Sequence, residues 1–279
     1  MQKLSAPTKV WLFLITVSIF IMMLGYHFGG RWGLFICFIV TVIFQALIFF
    51  YGDSPLLTFL KAYPVEGHDA WDLQSLLQQY AQLLQMQKPN LFITESPAAY
   101  AFSIGHQWQR GSICISTGLL NRLKKEEINA VLAHQICNLY RLNTFLFGIS
   151  HIFAFALIGI SRALDQAFKP MAKIQKKISQ PFTYFFSQLA WLILKIANSD
   201  KHYYQNDEMA AALLKDRRHL AEALWKLEGL NHSYPLSLPP CNHHFFIVNP
   251  TALTEKNWFL LAHPKVDIRI KKLVGYYPI

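Results

Sequence analysis

ICISTGLLNRLKKEEINAVLAHQICN, residues 113–138, decides the fold. Its opening Ile113-Cys114-Ile115 is a short β-prone run. Ile128, Val131, Leu132 and Leu139 then recur at helical spacing, which predicts a helix over about 125–142. Upstream, Leu73, Leu76, Leu77, Tyr80, Leu83 and Leu84 keep the same period, so 69–86 reads as an amphipathic helix. Two more β-prone runs lie between, Leu91-Phe92-Ile93 and 101–104, broken by Gly105 and Gly111. A small sheet therefore leads into a helix, and the fold class is α+β, mainly helical.

Beyond that unit the chain turns strongly apolar. It has 279 residues, 53 % of them hydrophobic and 15 % charged, with a net charge of +10. An ordinary soluble domain carries roughly 25 % charged residues. Residues 10–30, 32–52, 142–161 and 178–194 contain no Lys, Arg, Asp or Glu. A helix needs about 20 apolar residues to span a bilayer. Four hydrophobic membrane helices are thus expected, in two pairs. Trp11 and Tyr26 bracket the first window, Trp32 and Tyr51 the second, as suits aromatics at the two interfaces. A tight turn at Gly29, Gly30 and Arg31 joins them. Lys3 and Lys9 against Arg31 favour a cytoplasmic amino terminus. The later pair flanks a loop with Arg162, Lys169, Lys173, Lys176 and Lys177 against one acid, Asp165. That pair either spans or lies on anionic headgroups. His151 inside it reads as an interior histidine.

The expected organisation is a transmembrane hairpin over 1–60, a first half-domain over 61–142, a hydrophobic pair over 143–197 and a second half-domain over 198–279. The two halves share one core. Four scattered cysteines make no disulfide framework and fit a reduced compartment. The basic excess lies beside the hydrophobic windows or along helices, and no stacking module is visible, so nucleic acid is not an expected partner.

HQICN, from His134 to Asn138, has the spacing of HExxH, in which two histidines at i and i+4 bind zinc and the glutamate is the general base. Alone, the single histidine reads as an ordinary helix residue. The surroundings change this. LFITESPAAYAFSIG (91–105), ICISTGLLNRLKKEEINAVLAH (113–134), HHFFIVNP (243–250) and FLLAHPKVDIRIKKL (259–273) together closely resemble the HtpX family of membrane zinc metallopeptidases. The order of segments is similar too, from about residue 10 onward.

The resemblance implies a gluzincin-like peptidase domain. It places His134 at the first zinc ligand, Gln135 at the glutamate base and Asn138 at the second histidine. Aligning NSDKHYYQNDEMAAALL (198–214) places Tyr203 at the third ligand and Asp207 at the carboxylate that supports the ligands. A neutral amide is a poor zinc ligand, and a phenol of pKa about 10 must first lose its proton. Gln135 cannot take a proton from water. Without a metal, nothing lowers that water's pKa from 15.7 toward about 7. The expectation is no catalytic residue and no cofactor, with Gln135 and Asn138 able to hydrogen-bond each other in a polar cluster. Tyr100, Ala101, Phe102, Ser103, Ile104 and Gly105 resemble the edge strand beside the cleft, which can accept an extended peptide. His263-Pro264 and Arg269 match the family's last block and read as packing near the cleft.

The function expected is that of an inactive HtpX-like pseudopeptidase in protein quality control. It would sit in the bacterial inner membrane with its soluble part in the cytoplasm. Its expected partners are the lipid bilayer and either unfolded or membrane-protein segments or an active homologous peptidase. Two alternatives stand beside it. One is an active zinc enzyme with a rewired site, for which His202 beside Tyr203 is a candidate, although helix neighbours point about 100° apart. The other is a membrane scaffold without peptide binding. Cys241, His243 and His244 fit no standard zinc spacing.

Overall fold

The computed structural model describes residues 6–51, 54–65, 69, 71–105, 111–141, 143–168, 180–197, 200–238, 243–250 and 263–275. Helix α1 runs over Ala6–Tyr51 and is broken at Gly30, whose φ of 57° and ψ of −141° are not helical. This is the turn expected from Gly29, Gly30 and Arg31. The arms come close because two glycines face each other. A Cβ on Gly33 would lie 2.1 Å from the Gly25 carbonyl oxygen. The Gln45 amide donates to Ser18 Oγ across the pair, at 2.7 Å. Among the described residues one stretch, Leu14–Ile43, is long and apolar enough to cross a membrane. Only 6 % of its apolar window is buried inside the protein, so it is not the core of a soluble fold.

A short helix α2 (Ser54–Phe59) leads to strand β1 (Tyr63–Pro64) and helix α3 (Leu73–Leu83). Strands β2 (Asn90–Thr94), β3 (Ala101–Ile104) and β4 (Ser112–Ser116) complete a sheet of order β1-β2-β4-β3. β2 runs parallel to β4, and β3 antiparallel to it, with Phe102 opposite Cys114. The α4 turn (Thr117–Leu120) is capped by Ser116, whose hydroxyl accepts the Leu119 N–H. Helix α5 (Lys125–Tyr140) follows, and the Glu127 carboxylate accepts the Lys124 N–H at its start. Leu73, Leu77, Ile113, Ile115, Val131, Leu132 and Ile136 meet between α3, the sheet and α5.

Helices α6 (Asn143–Phe168) and α7 (Pro181–Ala197) pack through Ala154, Ile158, Ala190 and Leu194. The lone acid of the basic loop has a structural role. Both Asp165 oxygens accept backbone N–H groups at the start of α7, from Phe182 at 3.0 Å and Thr183 at 2.8 Å. A carboxylate there offsets the helix dipole. Helices α8 (Asp200–Leu213), α9 (Arg218–Ser233) and α10 (Val266–Val274) close the chain. Ala210, Ala223, Leu224, Leu227, Ile270 and Leu273 from them join the same cluster as α3, α5 and the sheet. One core thus draws on residues from both sides of the α6–α7 pair, and α5 runs through its centre.

The hairpin has a direct test. A Cβ at Gly25 would stand 2.9 Å from Cys37 Cβ, inside the roughly 3.5–4.5 Å that a disulfide spans, so the arms must part by about 1 Å to accept the bond. In a Gly25→Cys variant, mild oxidation should consume two thiols per chain in a labelling assay. Retention of both under oxidant would contradict the paired arms.

Candidate degenerate peptidase site

His134, Gln135 and Asn138 sit in the buried middle of α5 and point two ways. Positions i and i+3 share a helix face, so Gln135 and Asn138 both look onto β3. The Gln135 amide donates to the Ala101 carbonyl at 3.2 Å, and the Asn138 amide to Ser103 Oγ at 3.0 Å. The two altered side chains therefore bond to the strand and not to each other, which corrects the expected pairing.

His134 turns toward α8. Its Nε2 lies 3.2 Å from Asp207 Oδ1. A carboxylate only accepts, whereas the amide and guanidinium nitrogens that also face this Nε2 only donate. Nδ1 is buried and has no hydrogen-bond partner among the described residues. The Asn206 amide stands 3.0 Å from Nε2 and donates to the His134 backbone oxygen at 3.1 Å. Beneath them lies Arg269 from α10. Its Nε donates to Asp207 Oδ2 at 2.8 Å and its Nη2 to Oδ1 at 2.7 Å, a bidentate pair. Nη2 is 3.3 Å from His134 Nε2, and Nη1 donates to the Ile247 carbonyl. Tyr203 takes the far side, with Arg269 5.7 Å from its ring centre and the His263 ring 4.9 Å away.

Fractional exposure is 3 % for His134, 2 % for Asp207 and 0 % for Arg269, so no solvent screens the pair. Burial works to raise the Asp207 pKa, but the Arg269 charge and its hydrogen bonds, with His134, hold it down to about 2. Burial pulls the His134 pKa below its usual value despite Asp207, so the ring is neutral. Burial pushes the Tyr203 phenol well above its usual range, further from the phenolate a metal would need. Burial also lowers His263, to about 3.

Zinc is the metal implied by the HExxH spacing, and a catalytic zinc needs three protein ligands and an open position. Here a guanidinium already stands beside the Nε2 of His134 and engages both oxygens of Asp207. Among the described residues no group of three or more His, Cys, Asp or Glu is placed to hold a metal ion. These residues do not fit a zinc ion. Cys241 lies outside the described residues, as does the side chain of His244. His243 instead contributes its backbone oxygen to His263 Nε2, at 2.6 Å.

The model of peptidase family M48 matches residues 68–276. The chain belongs to peptidase family M48. The HtpX resemblance extends further. A protease HtpX homologue of Pelotomaculum thermopropionicum is 26 % identical over 272 residues, covering 95 % of this chain and 97 % of that protein. One from Thermoanaerobacter pseudethanolicus is 27 % identical over 285 residues, covering 95 % and 93 %. Among solved structures, S. mikatae Ste24p aligns at 17 % identity and a TM-score of 0.49, over 93 % of this chain and 62 % of that one. This M48 member is a membrane protein of metallopeptidase-like build, of the HtpX type.

Of the residues singled out from sequence, the structure joins His134 to Asp207, with Tyr203 reached through Arg269. It separates Gln135 and Asn138 onto β3. Sequence reading missed Asn206 and gave Arg269 only a packing role. The available signal was charge balance, since a buried aspartate needs a cation.

Removing one member of a buried ion pair costs about 3–5 kcal/mol, because the other charge is left uncompensated. Arg269→Met should destabilise the M48 domain by that much in denaturant unfolding. Arg269→Met combined with Asp207→Leu should recover most of the loss, and equal losses in the single and double variants would contradict the pairing. The acid response follows the pKa directions. Asp207 falls from 3.8 to about 2 on folding, so its contribution is full above about pH 4 and is lost as the pH drops through 2. The neutral, buried His134 and His263 add an earlier loss as the pH falls below their ordinary 6.5. Stability should therefore decline from about pH 6.5 downward, and His134→Gln combined with His263→Gln should flatten the upper limb.

Proposed function

We propose that this M48 member is a catalytically inactive pseudopeptidase that binds or regulates membrane proteins. One observation carries the reading. His134 Nε2 stands 3.3 Å from Arg269 Nη2 and 3.2 Å from Asp207 Oδ1, and among the described residues no group of three His, Cys, Asp or Glu is placed to hold a metal ion. Gln135 adds to it. Its neutral amide is spent on the Ala101 carbonyl and cannot take a proton from water. With neither a Lewis acid nor a base, the pocket has no means to activate a nucleophile.

What is retained supports a binding role. The sheet, the α5 helix and the membrane hairpin all persist around the altered chemistry. On this reading zinc is absent, α6 and α7 form a second hydrophobic pair in or on the bilayer, and Lys3 and Lys9 set a cytoplasmic amino terminus. The setting would be a bacterial inner membrane with the M48 domain in the cytoplasm. The partners would be extended membrane-protein segments or an active homologous peptidase.

The purified protein in detergent should cut casein no faster than its His134→Ala variant. Cleavage that stops on adding a chelator, and that His134→Ala lacks, would overturn the proposal.

A further inference from the structure

The charge-free stretch 32–52 holds one carboxamide, Gln45. At a helical rise of 1.5 Å per residue, it stands about 20 Å along the arm from Trp32 and about 9 Å from Tyr51, the aromatics that bracket the stretch. Gln45 therefore lies within the hydrocarbon layer, where no water is at hand to satisfy an amide. The hydroxyls of the same hairpin close on their own backbone. Thr16 Oγ1 donates to the Leu12 carbonyl at 2.7 Å, Ser18 Oγ to the Leu14 carbonyl at 2.6 Å and Thr41 Oγ1 to the Cys37 carbonyl at 2.6 Å. Gln45 is different. One N–H of its amide goes to Ser18 Oγ on the other arm. The second N–H and the carbonyl oxygen have no hydrogen-bond partner among the described residues.

One donor and one acceptor are thus left over on a single flat amide. Such a pair is complementary to itself about a two-fold axis, the N–H of each amide meeting the oxygen of the other. Depth favours the same pairing. Copies of one chain inserted the same way carry Gln45 at the same level in the bilayer, so their amides meet without a shift in register. The surface beside Gln45 has the shape for it. Phe35, Phe38 and Val42 are each about half exposed. With Gln45 they follow spacings of three, four and three residues, the seam along which parallel helices pack knobs into holes. A single polar side chain on such a seam fixes register and the number of strands.

We infer that this protein pairs with a second copy of itself in the membrane, along the ridge of Phe35, Phe38, Val42 and Gln45, with reciprocal hydrogen bonds between the two Gln45 amides. The second copy completes a hydrogen-bond set that the described hairpin leaves open. Lipid offers the amide no competing donor or acceptor in the hydrocarbon layer, so polar side chains hold membrane helices together there. Ser18 has a part as well. By holding one N–H of Gln45, it leaves the amide a single donor and a single acceptor to present.

The test uses the full chain, labelled at its amino terminus with donor or acceptor dye, in phosphatidylcholine vesicles. Energy transfer is followed as the protein is diluted with lipid. The unaltered chain should dimerise. Gln45→Leu, which keeps a side chain of similar size, should weaken the dimer at least ten-fold. Ser18→Ala removes the bond inside the hairpin but keeps the amide, so it should stay within about three-fold of the unaltered chain. A monomeric unaltered chain, equal association of Gln45→Leu and the unaltered chain, or a loss in Ser18→Ala as large as in Gln45→Leu overturns the inference. A second measurement reads the ridge. In a Cys37→Ser background, mild oxidation of membranes from the expressing cells should link Val42→Cys into a covalent dimer and leave Val40→Cys, on the opposite face, unlinked. Equal linking at the two positions, or a Val42→Cys product with the mass of one chain plus a different protein, overturns it too. Neither readout depends on the chemistry of the M48 domain, so the casein result stands apart from both.

Discussion

The ion pair between Arg269 and Asp207 is the constraint around which the M48 domain is assembled. A fully buried guanidinium and carboxylate persist only when each satisfies the other and the remaining donors find acceptors. That condition is met by three elements at once. Asp207 comes from α8, Arg269 from α10, and the spare guanidinium donor goes to the Ile247 carbonyl in the segment 243–250. His134 supplies the contact from α5. Four distant pieces of chain are thereby fixed to one another through a single charged centre. The depressed Asp207 pKa expresses the same coupling.

The centre also links α5 to the strand edge. On one face α5 presents His134 to the ion pair, and on the adjoining face Gln135 and Asn138 fasten β3. The Ala101 carbonyl receives both the Gln135 amide and the Ile247 N–H, and the Ile247 carbonyl in turn accepts from Arg269. The two amides of HQICN thus join the helix to the strand. A neutral amide serves that contact well, since it can donate to a carbonyl, whereas a carboxylate cannot. The α1 hairpin is separate in kind, held by close backbone approach at Gly25 and Gly33 and by the Gln45–Ser18 hydrogen bond, with large apolar side chains left exposed.

Local patterns were legible in the sequence. The run 101–104 is strand β3, Gly30 breaks the hairpin, and the 3.6-residue repeats mark α3 and α5. These features depend on near neighbours along the chain. His134 and Asp207 were also brought together by the family resemblance. The remainder depends on tertiary placement. Nothing near Arg269 in sequence says that its side chain crosses to Asp207, and nothing near Asn206 says that it donates to the His134 carbonyl. Gln135 and Asn138 were expected to meet each other, but their shared face is turned to a strand that offers better acceptors. Asp165 looked like one acid among many lysines, yet it caps α7. The expectation of four membrane helices rested on apolar length, and among the described residues Leu14–Ile43 meets that measure.

The most direct measurement of the central claim is the zinc content of the purified full chain after dialysis against micromolar zinc. A centre occupied by Arg269 and Asp207 should hold far less than one zinc per chain, and His134→Ala should leave that value unchanged. One zinc per chain, lost on His134→Ala, would contradict the account.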